Sequence, residues 1–191
     1  MALPSWVPAE ETKPAPPSLL LVQAFVNTYE ADHDSDLLGD PETAGEWLVR
    51  AGLLARKADL RPDQLDRARR FREVIRALLV ANAGGPGPTT EQRRQLAAVA
   101  DNGSLHLTVG RGNEIGASPH AATPLDAALV RLLLDIRDAQ RDGTWSLLKA
   151  CGNDECRWAF YDRSHSRRGR WCDMAVCGNR LKNRALRARQ H

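Results

Sequence analysis

This 191-residue chain lacks any long apolar run, and it lacks the start that is typical of an exported protein. Apolar runs such as Leu19 to Val22 are far shorter than the roughly 18 to 20 residues of a membrane-spanning helix. Residues 1–17 have no basic stretch, no long apolar segment and no signal-peptide cleavage site. We therefore expect a cytoplasmic protein that has no membrane partner.

Sequence signatures of catalysis are also missing. Residues 1–148 contain no glycine-rich phosphate loop, no His-Glu metalloprotease pattern and no nucleophile beside an evident base. Trp6, Trp47 and Trp145 are interpreted as core or anchoring residues, because basic residues do not alternate with them as in a nucleic-acid stacking platform. We expect a protein that is not an enzyme.

The net charge of +3 hides an uneven distribution along the chain. From Lys149 to the end, eleven lysines and arginines stand against four acids, which gives +7. The preceding 148 residues carry sixteen against twenty, which gives −4. A basic segment on a mildly acidic body is typical of proteins that bind a polyanion, with a merely solvated basic surface as the alternative.

Hydrophobic periodicity predicts a mainly α-helical protein with one small β-hairpin, an α+β fold followed by a small four-cysteine module. Helices are expected from Ser18 to Ala31, from Pro41, from Pro62 to Ala83, from Thr89 to Asp101 and from Pro124 to Ala139. Asp40, Thr89 and Thr123 precede three of them as N-caps. Alternating apolar residues at 105–109 predict the first strand of the hairpin, and a second extended piece follows at 114–118.

Composition divides the chain into three parts. Residues 1–17 contain five prolines and few apolar anchors, which predicts a flexible arm. Residues 18–148 carry the apolar helical stripes of an independent body, and residues 149–191 carry all four cysteines. We place the domain boundary between residues 148 and 149.

The cysteines form two pairs. Cys151 and Cys156 enclose four residues, Cys172 and Cys177 enclose four more, and fifteen residues separate the pairs. Zinc takes four thiolates at about 2.3 Å, and two short loops can each supply two of them. The spacing within each pair is looser than the usual two residues, but the confinement of all four cysteines to 27 residues favours a shared site. We predict one zinc ion per chain, bound by these four thiolates.

Alternatives remain open from the residues alone. Two disulfides or four unrelated thiols are conceivable, although a reducing cytoplasm disfavours disulfides. His165 is a further candidate zinc ligand, but four thiolates already complete a closed tetrahedral site. Whether such a zinc ion is purely structural, or is released when its thiolates oxidise, is a separate question.

Two stretches of the chain resemble known families. The cysteine segment resembles the CGNR zinc finger through Cys-Gly-Asn-Arg at 177–180 and through Cys151, Cys156, Phe160, Asp162, Ser164, Arg170, Trp171, Cys172 and Met174. The body resembles the ABATE domain, which typically precedes this finger, through Phe25-Val26-Asn27-Thr28, Glu46-Trp47-Leu48 and Ala51-Gly52-Leu53-Leu54. Together the resemblances cover the chain from about residue 19.

The resemblance implies a bacterial, stress-induced transcription regulator whose basic finger binds DNA. The candidate nucleic-acid contacts are Arg167, Arg168, Arg170, Arg180, Lys182, Arg184, Arg187 and Arg189. The last five lie along a helix expected from Met174 to Arg189, and a helix with arginines on several faces can enter a major groove. RNA suits the same charge and is the second hypothesis, and a zinc-stabilised protein-interaction module is the third.

The first domain is interpreted as an effector-sensing or dimerisation unit, which makes a small-molecule effector and a homodimer hypothetical partners. Asn27 and Thr28 are polar residues on an otherwise apolar predicted helix, so they are candidates for lining an effector pocket. The alternative is a buried, hydrogen-bonded pair that fixes helix packing.

Overall fold

The computed structural model describes residues 2–9 and 11–179, and it confirms a mainly α-helical chain with small two-stranded sheets. The α-helices of this part are α1 (Pro17–Val26), α2 (Pro41–Arg50), α3 (Pro62–Asn82), α4 (Thr90–Asp101) and α5 (Pro124–Arg141). The antiparallel strand pairs are β1 (Tyr29–Glu30) with β2 (Ser35–Asp36), β3 (Gly103–Val109) with β4 (Ile115–Ala121), and β5 (Leu148–Ala150) with β6 (Ala159–Tyr161).

The N-caps that the sequence predicts are confirmed. The Asp40 carboxylate accepts hydrogen bonds from the first free backbone N–H groups of α2, and Thr123 does the same for α5. Thr89 and Gln92 form a reciprocal capping box at the start of α4. Helix α3 ends one residue before the expected position, and Gly84 follows with a φ of +86°, a left-handed conformation that glycine adopts without strain.

Helix α1 is shorter than predicted. It begins at Pro17 and ends at Val26, whereas the apolar spacing predicts a helix from Ser18 to Ala31. The Thr28 hydroxyl donates to the carbonyl of Phe25, and the Thr28 carbonyl accepts from the N–H of Leu37. These bonds turn the chain into the β1–β2 pair, so tertiary contacts override the local helical pattern.

The apolar core lies where α1, α3 and α5 meet. The Phe25 ring lies 6.2 Å from the ring of Trp47 on α2 and 6.0 Å from that of Phe71 on α3. Trp47 and Trp145 are both buried, which confirms their interpretation as core residues. The Trp47 indole N–H donates to the carbonyl of Trp6, so it also anchors the start of the chain.

The described part of residues 1–17 packs against the body, in contrast to the flexible arm that its composition predicts. Val7 and Ala15 are buried, and the Ala15 N–H donates to the Gln23 side chain. The Lys13 carbonyl accepts from the N–H of Tyr161, so this segment runs beside β6. Prolines restrict the unfolded backbone, and few anchors then suffice to hold the segment.

The β5–β6 hairpin shares its core with the helices. Leu148, Ala150, Ala159 and Tyr161 are buried in the same apolar cluster as α1, α3 and α5. The Asn82 side chain at the end of α3 donates to the Leu148 carbonyl at 2.9 Å. The boundary predicted between residues 148 and 149 therefore falls inside β5, a strand whose side chains pack against the helices and against β6.

The β3–β4 hairpin confirms the predicted strands but projects into solvent. Its apolar side chains are largely uncovered, with Leu107 80%, Val109 74% and Ile115 76% exposed. His106 and His120 stack across the opposite face, with ring centroids 4.9 Å apart. Alternating hydrophobicity therefore identifies the strands here without identifying a buried face.

Removal of residues 148–191 should destabilise the remaining helices. The side chains of Gln23, Asn27 and Arg76 would lose hydrogen-bond partners, and the apolar residues of the body would lose the cover of β5 and β6 and become exposed to water. We expect a fragment of residues 1–147 to melt at a clearly lower temperature than the full chain, measured by circular dichroism. A fragment of residues 1–179 is the control, and equal melting temperatures for fragment 1–147 and the full chain would contradict the prediction.

Candidate metal centre and nucleic-acid interface

The β5–β6 hairpin and two short turns carry the four cysteines. Cys151 directly follows β5, and its N–H donates to the Trp158 carbonyl, which extends the strand pairing by one residue. Cys156 lies in the turn of the hairpin, where its N–H donates to the Asn153 carbonyl. Cys177 lies in a short π-helical turn, Met174–Gly178, and the Asp173 carboxylate caps this turn by accepting from the Val176 N–H.

The sulfur atoms have the spacing of a tetrahedral zinc site. All four lie within 4.8 Å of one another, with 3.6 Å between Cys156 and Cys172 and 3.7 Å between Cys172 and Cys177. Four Zn–S bonds of about 2.3 Å in tetrahedral geometry place the sulfurs about 3.8 Å apart. A disulfide requires about 2.05 Å, so the cysteines are unpaired thiols. Among the described residues, the cluster consists of cysteines alone, without His165.

Close contact makes the thiols compete for protons, so their pKa values shift in opposite directions. Hydrogen bonds from the Cys156 and Cys172 thiols lower the pKa of Cys151 to about 2. The contact with Cys151 raises the pKa of Cys156 to about 12, and contacts with Cys151 and Cys156 raise that of Cys172 even more. A divalent cation removes this competition, because all four sulfurs can then bind as thiolates.

Two glycines beside the cysteines lie in closely packed surroundings, and the packing is less adaptable at Gly152, beside a rigid ring, than at Gly178, beside the flexible Met174. A Cβ at Gly152 would lie 3.0 Å from the Trp171 ring, and one at Gly178 would lie 2.6 Å from the Met174 sulfur. Neither glycine has a positive φ, and the Gly152 N–H donates to the Arg170 carbonyl. The amide of the buried Asn153 donates to the Cys177 sulfur at 3.9 Å, so it supports a metal ligand from the second layer of residues around the site.

Helix α1 holds the metal-binding hairpin through side-chain hydrogen bonds to one residue of β6. The Asn27 amide donates to the Ala159 carbonyl at 2.9 Å and accepts from the Ala159 N–H at 2.8 Å. Gln23, one helical turn earlier, donates to the same carbonyl at 3.1 Å. The metal centre is thus fixed to the body three residues after Cys156.

Asn27 and Thr28 are buried and hydrogen-bonded, which agrees with the interpretation that this polar pair fixes the packing of the helix. Asn27 also donates to the Glu11 carboxylate, and the Thr28 hydroxyl accepts from Arg72 while donating to Phe25. Both residues do line a cavity, but their polar side-chain atoms are engaged within the protein. Gln23 was missed in the sequence, although its spacing of four from Asn27 on an apolar helix is a usable signal.

Lys149 belongs to a buried ion pair, so it does not contribute to the basic surface that the charge count predicts. Its ammonium lies 2.8 Å from the Asp162 carboxylate, and the side chains are only 5% and 4% exposed. Lys149 also donates to the Arg167 carbonyl at 2.6 Å, while Asp162 accepts from the Gly169 N–H at 2.7 Å. Burial alone raises the pKa of Asp162, but the hydrogen bonds from Lys149 and Ser164 lower it well below its usual range.

This ion pair fixes the loop of residues 163–169, called here the arginine loop. Arg167 and Arg168 are exposed on it, and Arg170 is exposed just after it, with its guanidinium over the Trp171 ring. Arg163 is a further exposed cation, which donates to the Pro14 carbonyl. The other predicted contacts lie outside the described residues: Arg180, Lys182, Arg184, Arg187 and Arg189. The expected helix from Met174 is described only as far as residue 179.

Comparison with models of protein families shows which families the chain matches. Residues 20–141 match the ABATE model, described as "Putative stress-induced transcription regulator". The chain belongs to the ABATE family. Residues 148–190 match the CGNR zinc finger, so the four cysteines form the site of one zinc ion in this ABATE protein. A comparison with curated proteins gives no match.

Zinc content should depend on each cysteine. We expect about one zinc ion per chain in the purified protein, and Cys177→Ser should lose most of it, because three thiolates no longer close the tetrahedral site. Elemental analysis against protein concentration measures this ratio. Ser166→Ala, on the exposed arginine loop, is the control that should keep its zinc. A zinc-free wild-type protein purified without chelator would contradict the assignment.

The Lys149–Asp162 pair should show strong coupling. Lys149→Met leaves a buried carboxylate unpaired, which should lower the free energy of unfolding by about 3 to 5 kcal/mol. The double variant Lys149→Met with Asp162→Leu should lose less than the sum of the single variants, measured by denaturant unfolding. Lys57 and Glu46 form an ion pair with the same 2.8 Å distance at the exposed surface, so Lys57→Met should change stability little. Additive effects at Lys149 and Asp162 would refute the coupling.

Proposed function

We propose that this ABATE protein is a DNA-binding transcription regulator whose CGNR finger contacts the phosphate backbone. The observation that carries the proposal is the arginine loop, whose arginines are exposed while its backbone is held by the buried pair of Lys149 and Asp162. A preformed cationic loop loses little conformational entropy on binding, so its charge is available for phosphate contacts.

The surroundings of the loop support an anionic partner. Residues 163–172 contain four arginines and no acid. Ser164, His165 and Ser166 are exposed between the first two of these arginines, and such side chains donate hydrogen bonds to phosphate oxygens. The basic residues at 180–189 follow the zinc site directly and extend the same charge in the sequence.

The ABATE domain is the regulatory part of this proposal. A regulator that responds to stress needs a domain that senses an effector or forms a homodimer, and α1 connects the ABATE domain directly to β6 of the finger. Such a protein would act in the cytoplasm, without catalysis of its own. No helix in residues 2–9 or 11–179 has the length and apolar character to cross a membrane.

Duplex DNA binding should depend steeply on salt. With about five phosphate contacts, the affinity of the full-length zinc protein should fall roughly 10² to 10³-fold between 50 and 200 mM salt. Arg167→Ala with Arg168→Ala should weaken binding to every sequence. The loss of two phosphate contacts should reduce the slope of log affinity against log salt concentration by about 1.8. Fluorescence anisotropy with a labelled duplex measures both effects.

Arg93→Ala with Arg94→Ala is the matched control, because it removes two adjacent exposed arginines from α4 instead. This variant should bind as the wild type does. Absence of duplex binding at 50 mM salt would refute the proposal. Preferential binding of single-stranded or structured RNA would favour the RNA hypothesis, and a partner retained at 200 mM salt without nucleic acid would favour a protein-interaction module.

A further inference from the structure

We propose that the cavity between the start of the chain and the zinc finger binds a small aromatic carboxylate. This inference rests on the proposed regulator function, for which the ligand would be the effector. The cavity has a volume of about 320 Å³ and lies between residues 5–9, the end of α1, α2 and Trp158 of the finger. Sites for small molecules commonly have volumes of about 300 to 1,000 Å³.

The walls of the cavity are rich in tryptophan. Trp6, Trp47 and Trp158 line it, which is three of the five tryptophans of the chain. The Trp47 indole N–H donates to the Trp6 carbonyl at 3.0 Å, and the Trp158 indole N–H donates to the Glu11 carboxylate at 3.1 Å. These bonds fix two of the rings. Trp47 is only 1% exposed, so the half-buried rings of Trp6 and Trp158 are the ones that present apolar surface to a ligand. Such surfaces select a flat aromatic group.

The charge at the cavity selects an anion. Arg50 lines the cavity from the last turn of α2 and is exposed. Its guanidinium interacts electrostatically with Glu46, one helical turn earlier, but the Glu46 carboxylate is bound by Lys57 at 2.8 Å. Glu30 is the acid among the lining residues, and its carboxylate lies 2.9 Å from the His33 ring nitrogen. An arginine binds a carboxylate through two parallel hydrogen bonds, so a carboxylate on the aromatic group completes the match.

The same cavity touches the contacts that hold the finger. Asn27 lines it while bonding to Ala159, and Trp158 lies between the metal ligand Cys156 and β6. A ligand that binds this folded arrangement stabilises it by mass action. Occupation of the cavity therefore slows the loss of zinc, which couples the effector to the finger.

Benzoate is the probe for this site, titrated into the full-length zinc protein by calorimetry. Benzamide has the same ring without the charge, and acetate has the charge without the ring. Benzoate should bind at least about 10-fold more tightly than either, which corresponds to about 1.4 kcal/mol. Equal affinities for benzoate and acetate, or no benzoate binding at a concentration of about 10 mM, would overturn the assignment.

Arg50→Gln should abolish the preference for benzoate over benzamide, while Arg56→Gln, an exposed arginine outside the cavity, should leave it intact. Benzoate should also slow zinc transfer to a chromophoric chelator in the wild type and not in Arg50→Gln. An unchanged preference in Arg50→Gln would overturn the proposal. Benzoate binding without any DNA affinity would support the binding site and refute the proposed regulator function. DNA affinity without benzoate binding would support the regulator function and refute the binding site.

Discussion

The position of the zinc finger depends on the hydrogen bonds between α1 and Ala159. Asn27 satisfies both backbone groups of that residue, on the side of β6 that β5 does not occupy. A strand pair of three residues has little stability by itself, and this one gains a buried polar contact and an apolar core from the helices. The zinc ion then closes the loops of a hairpin that the body already positions. Metal and body each supply a part of the folding free energy that the segment lacks alone.

Lysine and arginine side chains have two distinct roles in this protein, and whether a side chain is buried or exposed determines which role it has. Arg72, Arg76 and Lys149 are buried and paired, and they connect elements distant in sequence. Arg76 is the clearest case, because it donates to the carbonyl of Val26, the last residue of α1, and to the Arg157 carbonyl in the finger. A guanidinium with several donors in a fixed plane suits such bridging of carbonyls. The arginines of the arginine loop are exposed instead, and their charge remains directed at solvent.

Local signals in the sequence predicted much of this structure. The N-caps at Asp40, Thr89 and Thr123 fixed three helix starts correctly, and the paired cysteines identified the zinc site, because both patterns act over a few residues. The errors came from contacts across the chain. Nothing near Lys149 in the sequence shows that Asp162 neutralises it, and proline content alone does not reveal that Lys13 lies beside Tyr161. The end of α1 was misplaced for the same reason, since Thr28 turns to meet Leu37.

The attachment of β6 to α1 also limits how this finger can be transferred to other proteins. Classical zinc modules are portable, because each folds around its metal without a specific neighbour. Here a grafted segment of residues 148–191 would arrive without the amide of Asn27, the guanidinium of Arg76 and the carbonyl of Lys13. A recipient would need a helix with amides four residues apart facing the incoming strand. Because both amides bond backbone groups that every residue except proline carries, the constraint falls on Gln23 and Asn27 rather than on the side chain at position 159.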